Sequence, residues 1–176
     1  MNKLFAAVAA TTTAVSLLAG CQSMSEEPLR ATAALQPTKG SKAFGEATFE
    51  EVDGKVRVVV FAQGLRPDRP HGFHIHEVGD CSSADGMSTK GHFNPHAKPH
   101  GDPKSPERHA GDLPQLNAGK DGRAMIDVTM DIISVRPGPA SVVGRGLIIH
   151  ADPDDYKTQP TGNAGARLAC GVIKAG

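Results

Sequence analysis

Short alternating runs, each closed by a glycine, proline or aspartate turn, set what this chain can fold into. Lys55-Val56-Arg57-Val58-Val59-Val60-Phe61 is crowded with β-branched residues, whose stiff side chains pack well on a pleated surface. Asp53-Gly54 stands directly before it as a hairpin turn, and Gly45 to Glu50 alternates on the other side. The same reading gives strands over Gly72 to His76, over Arg123 to Met130 after the Asp121-Gly122 turn, over Gly146 to His150 and over Leu168 to Ile173. No run keeps a 3.6-residue period. The pattern predicts an all-β domain, a sandwich or a barrel.

One region breaks the pattern. Glu77 to Lys120 is rich in Gly, Pro, His and charge and shows no sustained alternation. So long a loop in a compact domain needs an organiser. Two are present, Cys81 and a crowd of histidines. Of eight histidines in the chain, His74 and His76 stand two apart in a predicted strand, a spacing that puts both imidazoles on one face. His92, His96, His100 and His109 follow in the loop, with Asp112 three residues beyond His109, and His150 closes a distant apolar strand. Imidazole suits copper and zinc, and an added carboxylate keeps zinc in play. The loop is therefore the expected metal site.

The ends speak of export. A lysine at position 3, an uncharged apolar run from Leu4 to Leu18 and the small residues Ala19-Gly20 have the anatomy of a secretory signal, expected over residues 1–20. Leu18-Ala19-Gly20-Cys21 resembles the bacterial lipobox, in which the cysteine is lipidated and becomes the first mature residue; an ordinary cleaved signal is the alternative. Residues 21–30 are then a lipidated start and tether, and 31–176 the folded domain. Three cysteines are present. With Cys21 carrying lipid, Cys81 and Cys170 are left as one disulfide pair in an oxidising compartment, two buried thiols being the other choice. Nineteen Lys and Arg balance nineteen Asp and Glu. Nothing in that balance suggests nucleic acid binding, which needs a basic face.

Six motifs in order, HGFHIHEVGDC (71–81), GHFNP (91–95), HGDP (100–103), ERHAGDL (107–113), IIHADPDDY (148–156) and GNAGARLACGVI (162–173), resemble those of the Cu,Zn superoxide dismutase family. The resemblance implies a flattened antiparallel Greek-key barrel or sandwich of immunoglobulin-like architecture with long metal-binding loops. It implies copper on His74, His76, His92 and His150, and zinc on His92, His100, His109 and Asp112, with His92 bridging. Asp154 matches the carboxylate that links the outer nitrogens of a copper and a zinc ligand, with Asp152 and Asp155 as nearby rivals for that role. Arg167 matches the cation that attracts and orients superoxide, and Lys157 is placed to add to its field. The implied reaction is dismutation to dioxygen and hydrogen peroxide, His92 supplying a proton. His71 matches a position with a structural hydrogen bond, and His96 matches no ligand and is expected in solvent.

The short segment Tyr156 to Gly162 and the spacer Ser82 to Lys90 resemble the bacterial branch, which leaves monomer and homodimer both open. A periplasmic enzyme held to an envelope membrane by lipid at Cys21 is the expectation. Two rivals use the same residues. A zinc hydrolase of the H-x-H-x-D-H type is approached by HIHEVGD, but Val78 stands where its aspartate belongs, and no H-E-x-x-H occurs. A non-enzymatic copper- or zinc-binding envelope lipoprotein would need the ligands but neither Arg167 nor a bridging His92.

Overall fold

The computed structural model describes residues 29–176. The expected signal segment, Cys21 and the expected tether up to residue 28 lie outside the described residues. Ten strands follow in chain order: β1 (Arg30–Pro37), β2 (Phe44–Val52), β3 (Lys55–Gln63), β4 (Pro70–His71), β5 (Phe73–His76), β6 (Leu116–Asn117), β7 (Ala124–Met130), β8 (Gly146–His150), β9 (Arg167–Val172) and β10 (Lys174–Ala175). No α-helix is present among the described residues, only one 3₁₀ turn at Met87–Thr89. Arg30 already pairs with Glu50, so the sheet begins one residue earlier than the expected domain start.

All strand pairings are antiparallel, and the main sheet runs β5-β8-β9-β1-β2-β3-β7, with β10 beside β1. Its connections are of Greek-key kind. From β3 the chain crosses to the far edge at β5, returns to β7 beside β3, then crosses again to β8. The sheet curls so that one face encloses the core. Ala31, Ala33, Leu35, Ala47, Phe49, Val56, Val58 and Val60 line that face in register, with Ala47 opposite Val60 and Phe49 opposite Val58. Each large apolar side chain so buried contributes about 1.5 to 3 kcal/mol.

The β2–β3 hairpin has the anticipated two-residue turn. Asp53 and Gly54 both hold positive φ, 50° and 74°, which is why an Asp-Gly pair occupies it. The strand predicted over Gly72 to His76 is present as β5, while the two residues before it, Pro70–His71, pair with Leu116–Asn117 in a separate two-stranded ribbon.

Strand β5 decides where the site forms. One edge pairs with β8, Phe73 opposite Ile149 and His76 opposite Gly146. Its other edge would be exposed, and the long crossover loop covers it. Ile75 N donates to Gly111 O at 2.9 Å, Phe93 N to Ile75 O at 2.8 Å and Glu77 N to Gly91 O at 2.9 Å. Strand-like bridges therefore set Asp112 beside His74 and His92 beside His76. Gly111 permits this contact, because a Cβ there would lie 2.2 Å from Ile75 O. All four residues of β5 are buried, as expected of a strand covered on both faces.

Candidate metal centre

Two groups of ligand-bearing side chains meet on this frame, and they share one residue. Donor atoms of His74, His76, His92 and His150 lie within 4.8 Å of one another, and so do those of His92, His100, His109 and Asp112. All seven residues are buried. His74 and His76 come from β5, and His150 from the last position of β8, where a register shift at Ile149/His150 turns it toward them. The loop along the edge of β5 supplies the other four.

The imidazoles of the first group are aimed by what their other nitrogens touch. His76 Nδ1 donates to Lys90 O at 2.8 Å, and His150 Nδ1 faces Gly165 O at 3.3 Å. Their Nε2 atoms then face each other at 3.3 Å. His74 is reversed: its Nε2 donates to Asp154 Oδ2 at 2.6 Å, leaving Nδ1 pointed inward. Such partners fix the tautomer and present a lone pair on the remaining nitrogen. His74 Nδ1 and His92 Nε2 are buried with no hydrogen-bond partner. Orphaned buried nitrogens are costly, and two of them beside a facing pair fit a bound cation.

In the second group His92 Nδ1 and His100 Nδ1 lie 2.8 Å and 3.0 Å from Asp112 Oδ1, and His109 Nδ1 lies 3.4 Å from both His92 Nδ1 and Asp112 Oδ1. The far oxygen, Asp112 Oδ2, accepts the backbone N–H groups of Gly101 and His109 at 3.0 Å and 2.9 Å. Three nitrogens and one carboxylate oxygen, converging with no group left over, suit a closed zinc site. His92 thus gives Nε2 to one group and Nδ1 to the other.

These donor sets narrow the chemistry, and the comparisons decide the family. The family model described as copper/zinc superoxide dismutase matches residues 43–173. The chain belongs to the copper/zinc superoxide dismutase family. Superoxide dismutase [Cu-Zn] 2 of Aquifex aeolicus is 40% identical over 165 residues, covering 90% of this chain and 94% of that protein. Superoxide dismutase [Cu-Zn] 1 of the same organism is 39% identical over 154 residues, covering 84% and 89%. Among solved structures, the clock protein EA4 superposes with a TM-score of 0.76 at 43% identity, over 84% of this chain and 94% of that one.

Of the three aspartates weighed for the link between the groups, Asp154 meets both. Its Oδ2 accepts from His74 Nε2, and its Oδ1 accepts from His100 Nε2 at 2.9 Å and Tyr156 N at 2.7 Å. Gln115 clamps the Asp154 backbone at both N and O. Asp155 instead caps its own turn through Lys157 N and Thr158, and Asp152 faces Arg69 at 3.7 Å. Gly162, with φ 66°, leaves room for the link: a Cβ there would stand 2.6 Å from His100 Nε2.

Electrostatics of the metal-free site follow from burial against carboxylates. Burial, then the charge of neighbouring imidazoles, holds His76 and His150 well below the usual histidine value. His74 is lowered by burial against the opposing pull of Asp154, and His92 falls to about 4 for the same reason, against Asp112. For His100 burial is outweighed by its hydrogen bonds to Asp112 and Asp154 together, and it rises to about 9. Burial also opposes the charged form of Asp112, but its imidazole partners outweigh that and hold the carboxyl well below the carboxylate range. The first group is therefore a set of neutral lone pairs at neutral pH.

Arg167 is half-buried and held by the loop that Cys81 pins. Its Nη1 donates to Gly86 O at 2.8 Å and Thr89 Oγ1 at 2.6 Å, and its Nη2 to Lys90 O at 2.6 Å. Lys90 O also receives His76 Nδ1, so one carbonyl ties the arginine to the first group. Cys81 and Cys170 are joined in a disulfide spanning 89 residues of sequence. His71 lies apart from both groups, its Nδ1 on His150 O at 2.8 Å, and His96 and Lys157 are exposed. Sequence reasoning did not single out Thr89, Gln115 or Gly162. For Gly162 the Thr-Gly-Asn turn was a usable signal; for the other two none existed.

Proposed function

We infer that this chain dismutates superoxide, with copper held by His74, His76, His92 and His150 and zinc by His92, His100, His109 and Asp112. What carries the reading is His92, whose two ring nitrogens are divided between the two groups. Bound copper supplies one-electron redox chemistry, consuming two superoxide anions and two protons and giving dioxygen and hydrogen peroxide. The protein's own part is to hold donors, protons and substrate. His92 Nε2 is the atom placed to hold a proton, while Asp112 and its neighbours keep the ring fixed from the Nδ1 side. Arg167 has five N–H donors, and two of them have no hydrogen-bond partner among the described residues. A small anion is their natural occupant. A protein that only sequestered metal would have no use for that cation, which disfavours the binding-protein alternative.

The same reading includes a signal peptide over 1–20, lipid on Cys21, anchorage to an envelope membrane, and the periplasm as compartment. Support comes from the leader's composition and from the Cys81–Cys170 disulfide, which persists in oxidising surroundings. Mass spectrometry of the mature protein tests the lipid: an unmodified Cys21, or cleavage elsewhere, refutes the anchor. Sedimentation of the chain from Gln22 distinguishes monomer from homodimer. The activity is tested by superoxide decay after a radiolysis pulse, on the copper- and zinc-loaded chain beside Arg167→Ala. Fast decay, slowed by that variant and by salt, is expected. Decay no faster than in buffer at full copper occupancy would leave a metal-binding protein.

A further inference from the structure

We propose that Thr89 is a positioning residue for Arg167: its hydroxyl fixes the guanidinium plane and so keeps the unpartnered N–H groups available to an anion. The proposal rests on the assignment of Arg167 as the anion-facing cation. Thr89 is fully buried in the loop between Cys81 and His92. Its Oγ1 accepts from Arg167 Nη1 at 2.6 Å and donates to Gly86 O at 2.9 Å. Guanidinium, hydroxyl and carbonyl thus form a directed chain in which each hydrogen has one acceptor.

The two backbone carbonyls alone would not hold the plane. Gly86 O and Lys90 O accept one bond each from Nη1 and Nη2, and both lie in one loop. The hydroxyl takes the second Nη1 hydrogen, leaving that nitrogen no freedom to swing. Bonds to a charged donor are stronger than neutral ones, and a buried hydrogen without its acceptor is costly.

The hydroxyl is itself locked. A Cβ added at Gly146 of β8 would meet Thr89 Cγ2 at 2.7 Å, so the threonine methyl lies flat on a glycine of the sheet. A β-branched side chain with its methyl so placed has little choice of χ1. The backbone is stitched as well, Val78 N donating to Thr89 O at 3.1 Å and Thr89 N to Gly86 O at 3.2 Å. The position of Arg167 is thereby referred to β8, which also carries His150. A surface arginine would have no such reference.

The test is azide affinity of the copper- and zinc-loaded protein, read from the charge-transfer absorption of the copper–azide complex, with superoxide decay beside it. Thr89→Val removes the hydroxyl at nearly constant volume and is expected to weaken azide about threefold to tenfold, as loss of one charge-assisted bond would. Thr89→Ser keeps the hydroxyl and is expected to stay within about twofold of the parent. In an Arg167→Ala background Thr89→Val should have no further effect, since the coupling runs through the arginine. Unchanged azide affinity in Thr89→Val, equal weakening in Thr89→Ser, or the same loss in the Arg167→Ala background would each overturn the proposal. If Arg167→Ala itself leaves azide unaffected, the anion-facing role of Arg167 fails first. Should Thr89→Val not take up copper, Thr89→Ala is read by the same criteria.

Discussion

Replacing Asp154 by asparagine separates the two halves of the centre, because the carboxylate has two unequal sides. Asp154 Oδ1 accepts two donors, His100 Nε2 and the backbone N–H of Tyr156, whereas Oδ2 accepts only His74 Nε2. An asparagine has one accepting oxygen and one donating nitrogen. With its oxygen in the Oδ1 place, one conflict results, between the amide NH2 and the N–H of His74. With its nitrogen there, the conflicts are two, and the Tyr156 amide cannot change its proton. The first orientation wins. His74 then relieves the clash by moving its proton from Nε2 to Nδ1, and Nδ1 is the buried nitrogen without a partner that faces the first group. One of four donor lone pairs is lost, while His100 keeps its partner. Removing an outer hydrogen-bond partner lowers metal affinity about 10- to 100-fold, which is about 1.4 to 2.7 kcal/mol. Asp154→Asn should therefore weaken copper by that factor and leave zinc within about threefold, with the fold intact. Competition against a chromophoric chelator, run separately for each metal, measures both constants. Weakened zinc with unchanged copper would refute the argument, for it would mean that the asparagine had chosen the other orientation. Equal loss of both would mean that the carboxylate's charge, and not tautomer control, sets affinity.

The metal-free protein should be most stable near pH 6.5, with stability falling on both sides of it. His74, His76, His92 and His150 have lowered proton affinities in the fold, His92 to about 4, so the unfolded chain binds more protons below 6.5 and stability falls as the pH drops from there. His100 has the opposite sign: raised to about 9, it contributes stability that is fully present below 6.5 and is lost progressively as pH rises from there through about 9. Urea unfolding of the metal-free chain at a series of pH values checks both limbs, and a flat profile between pH 7 and 4.5 would contradict the burial argument. Breaking the Cys81–Cys170 bridge, which spans 89 residues, should cost about 4 to 5 kcal/mol on the loop-entropy model. It should also weaken azide binding, because the loop holding Arg167 is freed at Cys81. Urea midpoints and azide titration of Cys81→Ser/Cys170→Ser measure the two effects, and a stable variant with parental azide affinity would separate the disulfide from the arginine.

What could be read before folding, and what could not, divides along covalent distance. The β2–β3 hairpin was legible because Asp53-Gly54 and its flanking alternation are local, and the observed strands extend the anticipated runs by one or two residues at their ends. His74 and His76 were legible as a same-face pair for the same reason. Strands β6 and β10 were not, being two residues each and existing only through partners at His71 and at β1. Nor did the period of Gly72 to His76 reveal that Pro70–His71 leaves the main sheet. That break depends on Leu116, more than forty residues on. The resemblance to the family supplied the grouping of His92, His100, His109 and Asp112, but the frame that assembles them came only with the fold.

That frame is the uncovered edge of β5. A four-residue strand carrying two histidines has one partner in β8, and its other edge needs hydrogen bonds. The crossover loop meets that need with Gly91, Phe93 and Gly111, three backbone positions adjacent to His92 or to Asp112. Backbone satisfaction and ligand placement are therefore one event: each bond to Ile75 or Glu77 that stabilises the edge also sets a donor beside His74 or His76. The long loop keeps little regular structure of its own, one 3₁₀ turn and the two-residue β6, because much of its order is borrowed from β5. This accounts for a region that looked structureless by period and yet is largely buried at every donor. It also explains why Gly111 matters as much to the metal site as a ligand does, since a side chain there would push the loop off Ile75 O and carry Asp112 with it.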